Sequence, residues 1–458
     1  MFKASIAWAL LALLWALPAQ SQTNPGNDTA NGWIVESYAG YNILHNLIAQ
    51  TSYALVPQGP VFTNITGNVP QIQVPITSAA IDTLDILGFA ELLSSNVTSS
   101  FTTGSSNILL ANTSPCFTMS NNATATYTFA NGTSTANNTI VFSANDPSLT
   151  PIQKASWLIY LAYFYNEERA AQLTVLNIMS QYNCIKTRVN SGVKEKYAIA
   201  WTQADMTTPQ VYEIRVDTYA KTLIADAAAK MIAPNSAQDS TYSNVGNFHL
   251  ALKGADMLLD TSPLSEGELW PQWLSIMNMV PGASLFYESE GYYKNRKVYR
   301  ADGLVSKTGY SNFPERYAAR PDLALMDMIA IQYPTFQNTY NTTWLYNFAL
   351  GSSPQSFPAN YVCNNAYVML TNQISCYLDE PFTPPATQAA PTNETETDDG
   401  GSNSSSGDQS SSLSSGSKAG IAIGVIAGVA ALGGAAFWFY RRRPTAEPSH
   451  NFYKMDEI

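Results

Sequence analysis

Two acidic pairs and two arginines are the first residues in this 458-residue chain whose types suggest chemistry. Glu288 and Glu290 stand close together in FYESEGYY, as do Asp256 and Asp260 in GADMLLDT. Paired carboxylates can cleave a glycosidic bond when they flank it in space, and closeness along the chain does not supply that separation. Asp256 and Asp260 read better as the two ends of a strand. No GxSxG elbow, HExxH pair or phosphate-binding glycine loop occurs, so a hydrolase is the minor reading and no enzymatic activity is expected. The arginines suit a different task. Arg215 in QVYEIR and Arg316 in GYSNFPER can each grip anionic oxygens through two parallel N–H bonds. Trp201, Tyr212, Tyr310 and Phe313 lie near them in sequence and offer stacking faces. With Ser78 and Phe117 these form the candidate ligand-binding set, each on a segment that follows a predicted strand. The competing use of each aromatic is core packing, and that of Arg215 or Arg316 is a structural ion pair, with Glu315–Arg316 closing the second half of the chain.

The elements that must position these residues lie between two readable ends. Residues 1–22 carry one Lys, then an apolar run, then a Pro and small or polar residues, the order of a secretory signal peptide. Residues 419–440 hold 22 residues without a charge and are followed at once by Arg441, Arg442 and Arg443. That length suffices for a transmembrane helix, and the arginines place the 441–458 tail on the cytoplasmic side. The expectation is a single-pass type I cell-membrane protein, with Gly420, Gly424 and Gly428 spaced so that two such helices could pair as a homodimer. Sequons at Asn27, Asn64, Asn96, Asn112, Asn122, Asn131, Asn137, Asn341, Asn393 and Asn403 fit an outside location for the bulk of the chain. Cys116, Cys184, Cys363 and Cys376 allow three pairings. The short spacing of Cys363 and Cys376 favours a local bridge, which would leave Cys116 for Cys184. Residues 381–418 are poor in large apolar side chains and rich in Ser, Thr, Pro, Gly and acids, so they read as a disordered, extended stalk.

What remains is long enough for two lobes. VPQIQVPIT (69–77) has strand character, and 79–93 has helical spacing. Residues 146–182 give one long helical pattern with Pro147 and Pro151 at its start, where proline is tolerated. Strand-like KYAIAWT, helix-like VDTYAKTLIADAAAKMI and the helix–strand stretch FHLALKGADMLLDT follow. The alternation predicts an α/β fold. It divides into an N-terminal lobe at 23–148, a linking helix at 149–183 and a C-terminal lobe at 184–380. The net charge of −11 argues against a nucleic-acid partner. His45 and His249 have no His at ligand spacing, so neither a metal site nor a cofactor is expected.

In this order the segments VPITSAAIDTLDILGFAELL, SPC, IQKASWLIYLAYFYNEERAAQLTVLNIMSQYNC, YAIAWT, YAKTLIADAAA, FHLALKGADMLLDTS and VYRADGLVSKTGYSNFPERYAARPDLALMDMIAIQYP resemble the class III periplasmic substrate-binding proteins. These are the siderophore- and cobalamin-binding type, and the likeness is to eukaryotic, membrane-anchored forms of that fold. The resemblance implies two lobes with mostly parallel sheets joined by a long backbone helix. It also implies a small ligand held between the lobes, most readily an iron chelate with hydroxamate or carboxylate oxygens. Uptake would follow by internalisation or by transfer to a neighbouring reductase or carrier. A sensor or adhesion receptor on the same fold is the alternative. By the same resemblance ARPDLALMDMIAIQYP is the carboxy-terminal helix, a structural element with Tyr333 where bacterial relatives carry His.

Overall fold

The computed structural model describes residues 29–59, 69–103, 125–132, 138–205, 210–234, 240–263, 270–306, 309–357 and 374–385, with Ile65 and Gly67 added and Ala283 left out. These residues belong to one compact unit, Met1–Asn393. The predicted signal peptide and transmembrane helix, the glycines at 420, 424 and 428, Phe117, Cys116 and Cys363 lie outside the described residues. So do most of the stalk and the sequons at Asn27, Asn64, Asn112, Asn122, Asn137, Asn393 and Asn403. No helix among the described residues is long and apolar enough to cross a membrane.

Two sheets precede residue 150. The first holds β1 (Trp33–Tyr38), β2 (Tyr41–Asn46), β3 (Thr51–Pro57) and β4 (Gln71–Val74), antiparallel except for the β3–β4 pair. The second is wholly parallel: β5 (Ala79–Ile81) lies between β6 (Phe101–Thr103) and β7 (Tyr127–Ala130), and β8 (Thr139–Val141) pairs with β7. The helical spacing expected over 79–93 therefore begins with a strand. Helix appears only from Leu84, as a 3-10 turn and then α1 (Leu87–Ala90). β5 is buried on both faces, so its apolar residues run on without the alternation that marks a half-exposed strand.

The single linking helix expected over 149–183 is two helices, α2 (Pro151–Tyr163) and α3 (Glu168–Gly192). Thr150 starts α2 with a capping box, its hydroxyl accepting from Gln153 N while Gln153 Oε1 accepts from Thr150 N. Asn166, at φ 57°, breaks the run in a conformation that Asn tolerates better than bulky residues do. α2 is buried almost throughout, whereas α3 buries a stripe that includes Ala171, Val175, Ile178, Tyr182, Ile185 and Val189.

The third sheet follows α3. β9 (Ala198–Asp205), β10 (Val211–Ile214), β11 (Lys230–Met231), β12 (Thr241–Tyr242), β13 (Met257–Asp260) and β14 (Val298–Arg300) belong to it. β15 (Leu304–Val305) pairs in parallel with Gln355–Ser356 in a separate two-stranded sheet, and β16 (Tyr346–Asn347) closes the edge of the third sheet. Within the third sheet only the β9–β11, β9–β13 and β13–β14 pairs are parallel, so "mostly parallel" fits the second sheet and the centre of the third. α4 (Thr218–Asp226) is capped by Asp217. After α5 (Phe313–Arg316) comes α6 (Pro321–Gln332), buried nearly all round, as its apolar sequence foretells. Asp322 does not cap α6; it pairs with Arg320 at 2.7 Å. Phe382, just inside the predicted stalk, is buried against Tyr333 and Phe336.

The expected Cys363–Cys376 bridge is replaced by Cys184–Cys376. Packing of the 374–385 segment against α3 and α6, not proximity in sequence, decides the partner.

Candidate functional site

A cavity of 610 Å³ opens where the carboxyl ends of both parallel strand sets meet. From the third sheet come Gln203 near the end of β9, Asp260 to Pro263 from the last residue of β13 onward, and Arg300 to Asp302 from the last residue of β14 onward. Across from them stand Asp85, four residues past β5, and Asn145, four residues past β8. Ligands gather at such strand ends because the backbone leaves the sheet there in loops whose side chains converge.

Arg215 is the cation of this cavity. Its backbone N–H donates to Trp201 O at 2.8 Å, which fixes the side chain beside that indole. The guanidinium carbon sits 4.6 Å from the Trp201 ring, 5.4 Å from Tyr317 and 5.9 Å from Tyr219. Nε donates to Asp217, and Nη2 makes a 3.4 Å bond to the Tyr317 hydroxyl. Nη1 has no hydrogen-bond partner among the described residues. Burial opposes the charge, but Tyr317 and Asp217 outweigh it and hold the group above its ordinary value. The Tyr317 hydroxyl in turn donates to Asn145 Oδ1 at 3.3 Å, so one polar chain crosses the cavity from wall to wall. Phe313 stacks on Tyr317 with centroids 5.0 Å apart, and half-exposed Tyr310 completes an aromatic side.

A second arginine, Arg300, is saturated. Nη1 donates to Asp260 at 2.9 Å, Nε and Nη2 fork onto Asp302, and Nη2 also reaches Ser262 O at 3.0 Å. Its donors are all committed to the wall. The carboxyl of Asp85, across the cavity, is pushed up by burial against the opposing pull of Asn145, Thr83 and Lys154.

Of the sequence-predicted set, the structure brings Arg215, Tyr310 and Phe313 into the cavity and puts Trp201 directly behind the guanidinium. Tyr212 is elsewhere: its ring stacks on Phe248 in a separate apolar cluster and its hydroxyl donates to Ile276 O. Strand alternation explains this, since Tyr212 and Arg215 occupy opposite sides of the chain around β10. Arg316 is not a ligand group either. It is 1% exposed and forks onto Glu91 of the preceding half, with Glu315 also paired to it. Ser78 is half-buried between β4 and β5 and is not part of the cavity wall. Sequence reading missed Asp85, Asn145, Arg300 and Tyr317. The strand-end rule would have found Arg300, and Tyr317 lies one helical turn beyond Phe313.

The carboxylates that first drew attention are structural acceptors. Asp256 accepts from Ala198 N at 2.8 Å, Glu290 from Gly254 N at 2.7 Å, and Glu288 from Gly282 N. Asp260 is fully buried and held by Arg300, Thr202 and Ser262. Among the described residues no group of His, Cys, Asp and Glu is arranged to hold a metal ion.

No family model and no curated protein matches the sequence. Solved structures similar to the chain include a periplasmic binding protein from Veillonella parvula dsm 2008, at 8% identity over 66% of this chain and 97% of that one, with a TM-score of 0.41. A TroA-like periplasmic binding protein, FepB, from Veillonella parvula shares 11% identity over 60% of this chain and 96% of its own, with a TM-score of 0.40. The Fe3+–Desferal-bound siderophore-binding protein FhuD from Vibrio cholerae shares 10% over 56% and 98%, with a TM-score of 0.36. At that level of likeness they carry no argument, and the reading of the cleft stays with its own geometry.

Proposed function

We propose that the chain is a cell-surface receptor that captures one compact solute in the cleft, and that the solute is an iron–siderophore-type chelate bound for uptake. The observation that carries the reading is Arg215: a guanidinium in the cavity lining, braced by Trp201, Tyr317 and Asp217, with no hydrogen-bond partner for Nη1 among the described residues. A chelate with peripheral anionic oxygens and flat apolar faces meets Arg215 with the first and Tyr310, Phe313 and Tyr317 with the second. The cavity volume of 610 Å³ falls within the size range of small-molecule sites. The function is binding, with no reaction assigned to the cleft. Type I anchorage by residues 419–440, glycine-mediated pairing of that helix and hand-over to a reductase or carrier belong to the same proposal.

The test is a titration of the purified chain with a ferric hydroxamate, cobalamin, haem and bare Fe3+, followed by tryptophan fluorescence. Trp201 lies against Arg215 and reports on its surroundings. Saturable quenching by the ferric hydroxamate supports the proposal. A flat response to all four removes the chelate reading.

A further inference from the structure

The charges that line the cleft do not balance. Arg215 and Arg300 face it, and so do Asp85, Asp260 and Asp302. Arg300 is shared between Asp260 at 2.9 Å and Asp302 at 2.7 Å, so that cluster already holds more carboxylate than guanidinium. Arg215 has its own carboxylate in Asp217. Of the three aspartates in the lining, Asp85 is the one with no ion pair among the described residues. Its carboxyl meets neutral groups instead. Asn131 Nδ2 donates to Oδ2 at 3.3 Å, and Asn145 and Thr83 also favour its charge. Lys154 acts on it only from a distance, since its ammonium donates to Ala144 O and Asp146 O. Burial still pushes the Asp85 carboxyl up, because the water it has lost is worth more than these neutral contacts return. A positive group entering the cavity would restore the balance.

The two ends of the cleft are held apart. Arg215 Nη2 donates to the Tyr317 hydroxyl at 3.4 Å, and that hydroxyl donates to Asn145 Oδ1 at 3.3 Å. Two neutral side chains thus separate a cation from a carboxylate that does not pair with it. We infer that the solute held here is dipolar: a chelate that turns its metal-binding oxygens to Arg215 and a protonated amine to Asp85. The inference rests on the chelate reading above and names what that reading leaves open, the charge at the ligand's other end. A primary alkylamine with a pKa of about 10.4 is protonated at neutral pH. Its three N–H donors suit a carboxylate, and their attraction grows stronger away from bulk water. A chelate that is anionic all round would gain at Arg215 and lose at Asp85 and at the acid-rich Arg300 cluster, so the same lining discriminates against it.

The test uses three ferric complexes of one linear trihydroxamate that ends in a primary amine: the free amine, its N-acetyl form and its N,N-dimethyl form. All three share the iron site. Acetylation removes the charge, whereas dimethylation keeps it and adds similar bulk. Each complex is titrated into the full chain and followed by tryptophan fluorescence. The free amine and the dimethyl form should bind about tenfold or more tightly than the acetyl form, the range for one hydrogen bond to a charged group. In Asp85→Asn that gap should close. An acetyl form that binds as tightly as the free amine overturns the inference. So does a dimethyl form as weak as the acetyl form, because bulk and not charge would then decide. A gap that persists in Asp85→Asn overturns it as well, since the amine would lie elsewhere. The wild-type comparison needs no variant, so it stands even where Asp85→Asn does not fold. Equal binding by all three sinks the inference alone, whereas binding by none removes the chelate reading and the inference with it.

Discussion

Arg215 and Lys154 occupy neighbouring positions with opposite fates. Arg215 keeps a donor for the cleft, so Arg215→Gln should weaken capture of an anionic chelate by about tenfold to a hundredfold, the range for one hydrogen bond to a charged group. The fluorescence titration measures the loss, and an unchanged circular dichroism spectrum shows that the fold is kept. Lys154 spends its donors inward, on Ala144 O at 3.0 Å and Asp146 O at 2.9 Å, with 1% of the residue exposed. Burial, with Arg215 adding repulsion and Asp217, Asp146 and Asp85 opposing, pushes its pKa down to about 8. The folded value lies below the unfolded one, so between about 8 and 10.5 the unfolded chain holds a proton that the folded chain has released. Stability from this group is thus present above the unfolded value and lost as pH falls through the folded one. Wild type should gain about 3 kcal/mol relative to Lys154→Met as pH rises across that window, read from denaturant unfolding at several pH values. Parallel pH profiles for the two proteins would contradict this. The residues of the site were legible in part. Arg215, Tyr310 and Phe313 follow from residue type and strand-end position. The separation of Tyr212 from Arg215, and the commitment of Arg316 to Glu91, depend on which side of an element each faces and on contacts over 225 positions in sequence.

α1 and α5 meet where the two halves of the chain touch, and Gly88 lets them. A Cβ on Gly88 would fall 2.5 Å from Glu315 O and 2.8 Å from Arg316 Cα, both backbone atoms with little room to yield. The close approach also brings Arg316 onto Glu91, which follows α1 directly. Gly88→Ala should therefore cost about 1–3 kcal/mol through overpacking, with further loss if the ion pair is displaced. Thermal unfolding checks the cost. A melting temperature equal to wild type would show that α1 and α5 can separate freely. Elements with a clear signature were legible: the strand through Thr202, the helix after Asp217, and the largely apolar α6. The break at Asn166 was not, because the helix formers Glu167, Glu168 and Arg169 follow it at once and carry the helical pattern on. The short strand β5 hid inside a helical spacing because its residues are buried on both faces. Pattern reading resolves an element best when one side of it meets water.

Over the whole described unit, the Cys184–Cys376 bridge spans 192 positions and ties α3 to the segment that ends the folded region. That segment is held by more than sulfur. Arg188 Nε donates to Glu380 O at 2.9 Å, and the Arg188 guanidinium lies 4.7 Å from the Phe336 ring, which itself packs on Phe382. Local spacing pointed to Cys363 as the partner because a short loop closes with less entropy lost. The closure of a long loop is already achieved when α6 and Phe382 pack on α3, so the bridge adds little new ordering to the native state. Its effect falls on the unfolded chain, which loses the freedom of a very long loop. Replacing Cys184 and Cys376 together by Ser should lower stability by about 3–5 kcal/mol. The loss should concentrate at the end of the unit: limited proteolysis should cut between residues 374 and 385 in the variant and spare them in wild type. No residue of that segment lines the cavity, so the titration midpoint for the chelate should stay unchanged. A variant that unfolds as readily as wild type would show that packing around Phe382 alone secures the chain end. A variant that keeps its stability yet loses the chelate would place the bridge in the service of the cleft instead.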